Sequence, residues 1–285
     1  MHRQSKFTTL IIAILLQIVF IPVQKIYAAT QVDLGTTSSF AVLGGSGITN
    51  TGSTTITGDV GSFPTTTQTG FGSVTINGTN HAGNATTQGA KTDLTTAYLD
   101  AEGRTPTGTI SADLGGQTLT PGVYRDNDAP NSLAITGTLT LDAQGDADAV
   151  FIFQSGTTLT TAVASSVVLV NGAQACNVYW QVGSSATIGA TTTFIGNIFA
   201  LTSITLNTGA TVNGRVLARN GAVTMDTNII TRSTCAIGTI GGPATATSTG
   251  LSVGGSAINN CPPLNNQIVT PIIINSKRVD ADSIY

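Results

Sequence analysis

Asn207-Thr208-Gly209-Ala210-Thr211-Val212, near the end of the chain, restates a phrase from its beginning, Asn50-Thr51-Gly52-Ser53-Thr54-Thr55. Both read Asn-Thr-Gly-small-Thr, and neither carries a charge. A phrase that returns across such a distance points to a repeated structural unit, and a repeat decides the fold before any single element does. Working outward, the chain from Leu133 lays out as stacked rungs. One column of short alternating segments holds Leu133-Ala134-Ile135, Thr158-Leu159-Thr160, Ala186-Thr187-Ile188, Ile204-Thr205-Leu206 and Val223-Thr224-Met225. A more apolar column holds Ala149-Val150-Phe151-Ile152-Phe153, Asn177-Val178-Tyr179-Trp180, Asn197-Ile198-Phe199-Ala200 and Arg215-Val216-Leu217-Ala218. Rungs of about 18 to 28 residues suit a solenoid that buries a continuous core by stacking.

The repeated phrase falls in a third column between these two: Thr51-Gly52, Thr136-Gly137, Thr161-Ala162, Ala190-Thr191, Thr208-Gly209 and Thr227-Asn228. Three residues on, the column reads Thr54, Leu139, Ala164, Thr193, Thr211 and Ile230, a partial ladder. The two clearest copies are expected at equivalent places on one face. One segment, from about Asn84 to Glu102, departs from the β pattern: Ala90, Leu94, Ala97, Tyr98 and Ala101 share one helical face, and Gly103 and Pro106 supply a stop. A single amphipathic helix alongside the solenoid follows. Because one rung precedes this helix and the others follow it, the solenoid is expected to be discontinuous in sequence.

Composition bounds the class. Arg3 and Lys6 precede an apolar run from Phe7 to Val23, and the small pair Ala28-Ala29 follows. This is the order of a secretory signal peptide, residues 1–28, with an uncleaved membrane anchor as the alternative. Only 9% of residues are charged and the net charge is −3, which gives neither a nucleic-acid footprint nor a basic membrane patch. With 40% hydrophobic residues the chain still has a core to bury, and its 33 glycines favour short strands and tight turns. Residues 29–234 form the expected solenoid domain and 235–285 a linker and tail that caps the last rung or attaches elsewhere. Of Cys176, Cys235 and Cys261 at most two pair, as Cys235 with Cys261 or Cys176 with Cys235.

Catalytic chemistry is poorly supplied. His2 lies in the leader and His81 stands without a nucleophile signature. Asp142, Asp146 and Asp148 with Gly145 lack both the calcium-loop spacing and the closing glutamate, and read as a solvated turn. A polysaccharide-cleaving solenoid would gather acids with Arg or Lys on one face, whereas these rungs offer threonine, alanine and glycine. No enzyme, cofactor or metal is expected.

A β face bearing threonines repeats about every 4.8 Å between rungs and about 6.7 Å along a strand, and threonine's stiff χ1 fixes its methyl and hydroxyl before anything binds. Such a rigid, uncharged lattice suits another lattice better than an irregular solute. Ice is the repeating solid on this scale that an exported protein meets in water. Threonine's ordinary preference for strands is the plainer alternative, and an adhesin platform is a further one.

Val32-Asp33-Leu34-Gly35, the run Phe40-Ala41-Val42-Leu43-Gly44-Gly45-Ser46-Gly47-Ile48-Thr49-Asn50-Thr51-Gly52, Thr57-Gly58-Asp59-Val60-Gly61, Ala175-Cys176-Asn177-Val178-Tyr179-Trp180-Gln181-Val182-Gly183 and Asn213-Gly214-Arg215-Val216-Leu217-Ala218 together resemble the microbial ice-binding proteins of the DUF3494 family. The similarity runs from about Val32 to Thr234. It implies a discontinuous right-handed β-solenoid of triangular cross-section with one long α-helix packed alongside, and antifreeze or recrystallisation-inhibiting activity. The family's Thr-Ala/Gly-x-Thr pattern carries over to Thr51-Gly52-Ser53-Thr54 and Thr208-Gly209-Ala210-Thr211, and in part to the other rungs. The expected ice contacts are therefore Thr51, Thr54, Thr136, Thr138, Thr161, Thr191, Thr193, Thr208, Thr211 and Thr227. Leu139, Ile230 and Ala190 are expected to lower the regularity of that face and moderate the activity. Only Phe63 to Asn80 is available where some members insert a capping subdomain, so no cap is expected. The partner implied is an ice surface, met by a secreted monomer with no membrane contact after signal cleavage.

Overall fold

Short runs of Val, Ile, Thr and Phe bounded by glycine form strands, and these strands pair in parallel, each rung hydrogen-bonded to the next. The computed structural model describes residues 29–126 and 131–236. The expected signal peptide, the chain from 237 onward and Cys261 lie outside the described residues.

The rungs form a β-solenoid with three sides. The first side stacks Gly108–Ile110, Gly122–Asp126, Phe151–Ser155, Val178–Val182, the second halves of Thr193–Ala200 and Thr211–Ala218, then Phe40–Gly44, Asp59–Ser62 and Asn80–Ala82. The second stacks Leu133–Ile135, Leu159–Thr161, Ala186–Ile188, Ile204–Leu206, Val223–Asp226, Ile48–Thr51 and Gln68–Thr69. The third stacks Thr118–Leu119, Thr138–Asp142, Ser166–Val170, the first halves of Thr193–Ala200 and Thr211–Ala218, Ile229–Thr231, Thr54–Thr57 and Val74–Asn77.

The order of rungs is not the order of the chain. The first rung in sequence docks on the last: Val42 pairs with Val216, Ile48 with Val223 and Thr55 with Ile229. The chain begins inside the stack, builds to one end, and must return to the other. The return is helix α1, Ala85–Gly103, whose first turn is capped by the Asn84 side chain accepting from the Thr87 amide at 3.2 Å. Its 19 residues run about 28 Å at the usual rise, the depth of roughly six rung spacings. Ala90, Leu94, Ala97, Tyr98 and Ala101 are all buried, packed with Ile152, Tyr179, Phe199 and Leu217 of the first side. That side is thereby apolar on both faces. The stretch from Phe63 to Asn80 supplies the second and third sides of a rung, through Gln68–Thr69 and Val74–Asn77, and forms no separate cap.

Inside the coil, residues at one register position stack on their own kind. Tyr124, Phe153 and Trp180 occupy successive rungs, with Phe153 and Trp180 at 4.1 Å between ring centroids. Two cations near the helix are held by carbonyls and a ring. Lys91 donates to the carbonyls of Ala218 and Arg219, and burial followed by the neighbouring Arg219 charge pushes its pKa down to about 7. The Arg219 guanidinium lies 4.6 Å from the centre of the Tyr98 ring. Arg215, 4% exposed, donates to Asn197 Oδ1, Ser233 Oγ and the Ser38 carbonyl, with no acidic partner among the described residues.

Cys176 and Cys235 form a disulfide, one of the two pairings the sequence left open. It ties the chain beyond the last rung to the short turn before Val178–Val182, closing a loop whose length corresponds to about 4 kcal/mol in the chain-entropy account.

The turn from the third side into the first brings two backbones close together. Gly196 and Gly214 pair there, and a Cβ added at Gly214 would stand 1.8 Å from the Gly196 carbonyl oxygen. Gly214→Ala is therefore expected to destabilise the fold by about 3 kcal/mol or more, read as a fall in the denaturant midpoint. An unchanged midpoint would show that adjacent rungs separate there without cost.

Candidate functional site

Two open sides remain once α1 covers the first, and the corner between them is where the repeated phrase lies. Gly52 and Gly209 both turn that corner in the left-handed conformation, at φ +67° and +73°. Only glycine takes this region without strain, which is why the phrase holds a glycine. The corner column also includes Gly137, Ala164, Thr191 and Thr227 at positive φ.

The two copies are nevertheless one residue out of step. Counting from the outward threonines Thr49 and Thr205, which share a column, Gly52 is the third residue on and Gly209 the fourth. Thr211 consequently points outward, in line with Thr193 and Ile229, while Thr54 falls at the position before that column and is 1% exposed. A slip of one residue reverses the direction of every side chain in a pleated strand.

The ten expected contact residues thus divide into three groups. Thr51, Thr136, Thr191, Thr208 and Thr227 are exposed at the corner, and several have their hydroxyls engaged: Thr208 and Thr227 with the Asp226 carboxylate, Thr191 with the Ala190 carbonyl. Thr138, Thr193 and Thr211 lie on the outer surface of the third side. Thr54 and Thr161 are interior. Thr54 Oγ1 accepts the Asn228 amide at 3.1 Å, and Thr161 Oγ1 accepts the Gly189 amide at 2.8 Å. Neither reaches an external surface, because each satisfies a backbone donor that the corner leaves without a ladder partner. Leu139 and Ile230, expected to interrupt the face, are also fully buried and interrupt nothing outside.

The most regular array lies elsewhere, at the centre of the second side. Thr160 pairs with Thr187, Thr187 with Thr205, Thr205 with Thr224, Thr224 with Thr49 and Thr49 with Thr69, so six successive rungs present threonine at one outward position. Ala134 continues the column at one end. None of these six hydroxyls is hydrogen-bonded to another described residue. Two residues earlier, a parallel column holds Thr158, Ser185, Ser203, Ala222, Gly47 and Thr67, all small and uncharged. The inward neighbours Ile48, Ile188, Ile204, Leu206, Val223 and Met225 are at most 1% exposed and hold the sheet against the core. The segments carrying these threonines had been legible as strands. The missed signal was the threonine at the middle of Ala186-Thr187-Ile188, Ile204-Thr205-Leu206 and Val223-Thr224-Met225.

No titratable group stands in the threonine column or in the small-residue column beside it, and Asp226, at the corner end of the same side, is engaged by Thr208 and Thr227. Asp59 meets His81 at 3.2 Å near the end of the stack, and Asp142 accepts the Gln144 amide and the Asn171 side chain within its turn. A cavity of about 550 Å³ beside the disulfide is lined by Asp33, Ser38, Tyr179, Arg215 and Arg232, apart from the threonine column.

A neutral, one-directional lattice of methyls and hydroxyls on an open solenoid side has the form of a surface that could meet another extended, repeating surface. Residues 42–231 match the model of the ice-binding-like family, and the chain belongs to that family. It is 50% identical over 208 residues to an ice-binding protein of Nostoc sp. (strain HG1), covering 72% of this chain and 76% of that one. The fold matches the crystal structure of an ice-binding protein from an Antarctic biological consortium, with a TM-score of 0.71 and 49% identity over 75% of this chain and 96% of that one. It also matches the ice-binding protein of the Antarctic ascomycete Antarctomyces psychrotrophicus, with a TM-score of 0.68 and 42% identity over 72% of this chain and all of that one, 100%.

Thr161→Val should lower stability by about 1–3 kcal/mol, because it leaves the buried Gly189 amide without its acceptor. The folded variant should keep the surface activity of the parent. A Thr161→Val protein with parental stability would show that this hydroxyl is dispensable inside the corner.

Proposed function

We propose that this protein is an exported, monomeric ice-binding protein that adsorbs through its second side, with Thr160, Thr187, Thr205, Thr224, Thr49 and Thr69 making the central contact. The observation that carries the reading is the unbroken register of that column together with its unengaged hydroxyls.

Rung spacing holds the threonines about 4.8 Å apart, and the neighbouring small-residue column lies about 6.7 Å away along the strands. Each side chain is stiff at χ1 and mounted on a hydrogen-bonded sheet over a packed core. Little conformational entropy is therefore lost on adsorption. Water over the methyls is already restricted in orientation, and the hydroxyls tie that layer to the sheet by hydrogen bonds. Ice growing between adsorbed molecules must then curve outward, which opposes further growth. A neutral surface suits this task, because an ion orders water around itself and not along a lattice.

The relatives named above support ice as the partner, since each is named for ice binding. A surface adhesin is not favoured on the same ground. No reaction is proposed for this chain.

Thr205→Tyr and Thr187→Tyr place a ring across the middle of the column, and each is expected to lose most thermal hysteresis while keeping the parental circular dichroism and melting temperature. Tyrosine at Leu99, which is 52% exposed on α1, should change nothing. Full hysteresis in both folded threonine variants would remove the second side from the reading.

A further inference from the structure

Val32, before the first strand, packs on the outer surface of the first side, and the chain leaving Ile229–Thr231 passes the same place on its way to the Cys176–Cys235 disulfide. Between them lies the cavity of about 550 Å³. Two guanidinium groups line it, Arg215 and Arg232, and neither has an acidic group within ion-pair distance among the described residues. The terminal nitrogens of Arg215 donate to Asn197, Ser233 and the Ser38 carbonyl, but its buried Nε–H finds no acceptor among the described residues. Arg232 spends one N–H on the same Ser38 carbonyl, at 3.2 Å, and nothing among the described residues takes the others. Both cations thus converge on one neutral oxygen. Burial, and then the Arg232 charge beside it, pulls the Arg215 pKa down to about 10. The hydroxyls of Ser38 and Thr234 also line the cavity and bond to no other described residue. The one carboxylate on the wall, Asp33, is exposed and accepts the Gly35 amide at 2.9 Å.

We propose that this cavity is a binding site for a small oxyanion, a carboxylate or a phosphate, held between the Arg215 and Arg232 guanidiniums with the Ser38 and Thr234 hydroxyls donating to it. Two like charges at one carbonyl repel each other, and a buried cation without a counter-charge is costly. An anion between them removes the repulsion and supplies the missing acceptors, and the planar fork of arginine matches carboxylate and phosphate oxygens. A metal cation would meet two positive groups there, and an apolar ligand would leave the free N–H groups unpaired. The volume admits an anion that carries a small organic body. The place of the site in the fold gives it a consequence. Ser38 precedes Phe40–Gly44, in the first rung of the chain, whereas Arg215 and Arg232 belong to the last rungs, on which that first rung docks. The anion therefore lies across the join that closes the solenoid. Bound to the folded chain alone, it raises stability with its concentration. The site stands apart from the threonine column and does not depend on ice being the partner of the second side.

The test is calorimetric titration and thermal melting of the full-length protein with inorganic phosphate and, separately, with succinate, sodium chloride of equal ionic strength serving as the control. At least one oxyanion is expected to give a saturable heat and a melting temperature that climbs with its concentration, while chloride gives neither. The tighter of the two identifies the ligand as a phosphate or a carboxylate. Arg232→Gln should weaken binding about tenfold or more, the loss of a charged hydrogen-bonding partner, and Arg232→Lys should restore it only in part, since the charge returns without the fork. Asp33→Asn keeps an oxygen for the Gly35 amide but removes the negative charge from the wall, and should tighten binding severalfold. A merely structural role for these side chains predicts no such gain. Phosphate, succinate and chloride acting alike would overturn the site, as would parental affinity in folded Arg232→Gln and Asp33→Asn proteins. Should Arg232→Gln fail to fold, the chloride control and the direction of the Asp33→Asn change decide between the same two outcomes.

Discussion

Parallel hydrogen bonding between successive rungs is the constraint on which the remainder of this molecule depends. It fixes the spacing along the stack and it fixes register, so whatever residue type recurs at one outward position becomes a straight row. The same bond also closes the discontinuity. Val42 on Val216 and Ile48 on Val223 join the first rung of the chain to the last with the pairing used between neighbours in sequence. α1 makes that join possible, by carrying the chain back along the stack and burying Leu94 and Tyr98 against strands from both parts. Contacts of such long sequence separation are costly to form early, and the order in which the stack closes is set by that cost.

Much of the fold was legible in the residues. The apolar column Phe151, Val178, Ile198 and Val216 is legible as one side, and the helix is legible to within one residue at each end, because both signals depend only on local periodicity. The functional surface was harder. The corner between the open sides holds three residues between Ala134 and Thr138, four between Thr224 and Ile229, and five between Thr205 and Thr211. Aligning rungs by the conspicuous Thr-Gly phrase therefore mixed corner, interior and outward positions. The strands, where register is exact, would have aligned Thr205 with Thr187 and Thr224 directly.

Threonine serves two opposed uses in this protein, and composition does not separate them. At the corner an inward column reads Ser165, Thr192, Ala210, Asn228 and Thr54, each at most 1% exposed. The polar members accept or donate to backbone groups where the ladder breaks: Ser165 to the Ile135 carbonyl, Thr192 to the Ala162 carbonyl, Asn228 to the Ala210 carbonyl. There the hydroxyl repairs a turn, and its loss leaves a buried group unpaired. Along the central threonine column of the second side the hydroxyls have no partner among the described residues and are left for whatever lies outside. The corner also holds Ala164, Thr191 and Thr227 at positive φ, a conformation that costs a residue with a Cβ roughly 1–2 kcal/mol. Sharp corners are thus retained even where glycine is not, which keeps the two open sides distinct planes.

That distinction gives the corner a functional consequence. A solenoid with rounded corners would merge its outward columns into one curved surface, and a curved surface matches a crystal plane over few rungs. Corners that turn within three to five residues leave each side flat for the length of the stack. Flatness multiplies a weak contact, because a rung that already lies in the plane adds its threonine to the contact with little further loss of freedom, as linked sites do. The apolar interior, with Phe153 stacked on Trp180 and Trp180 beside Phe194, holds those planes rigid from within. The repeated Asn-Thr-Gly phrase is therefore central to the surface without being its lattice. Its glycine makes the edge at which one plane ends and the next begins.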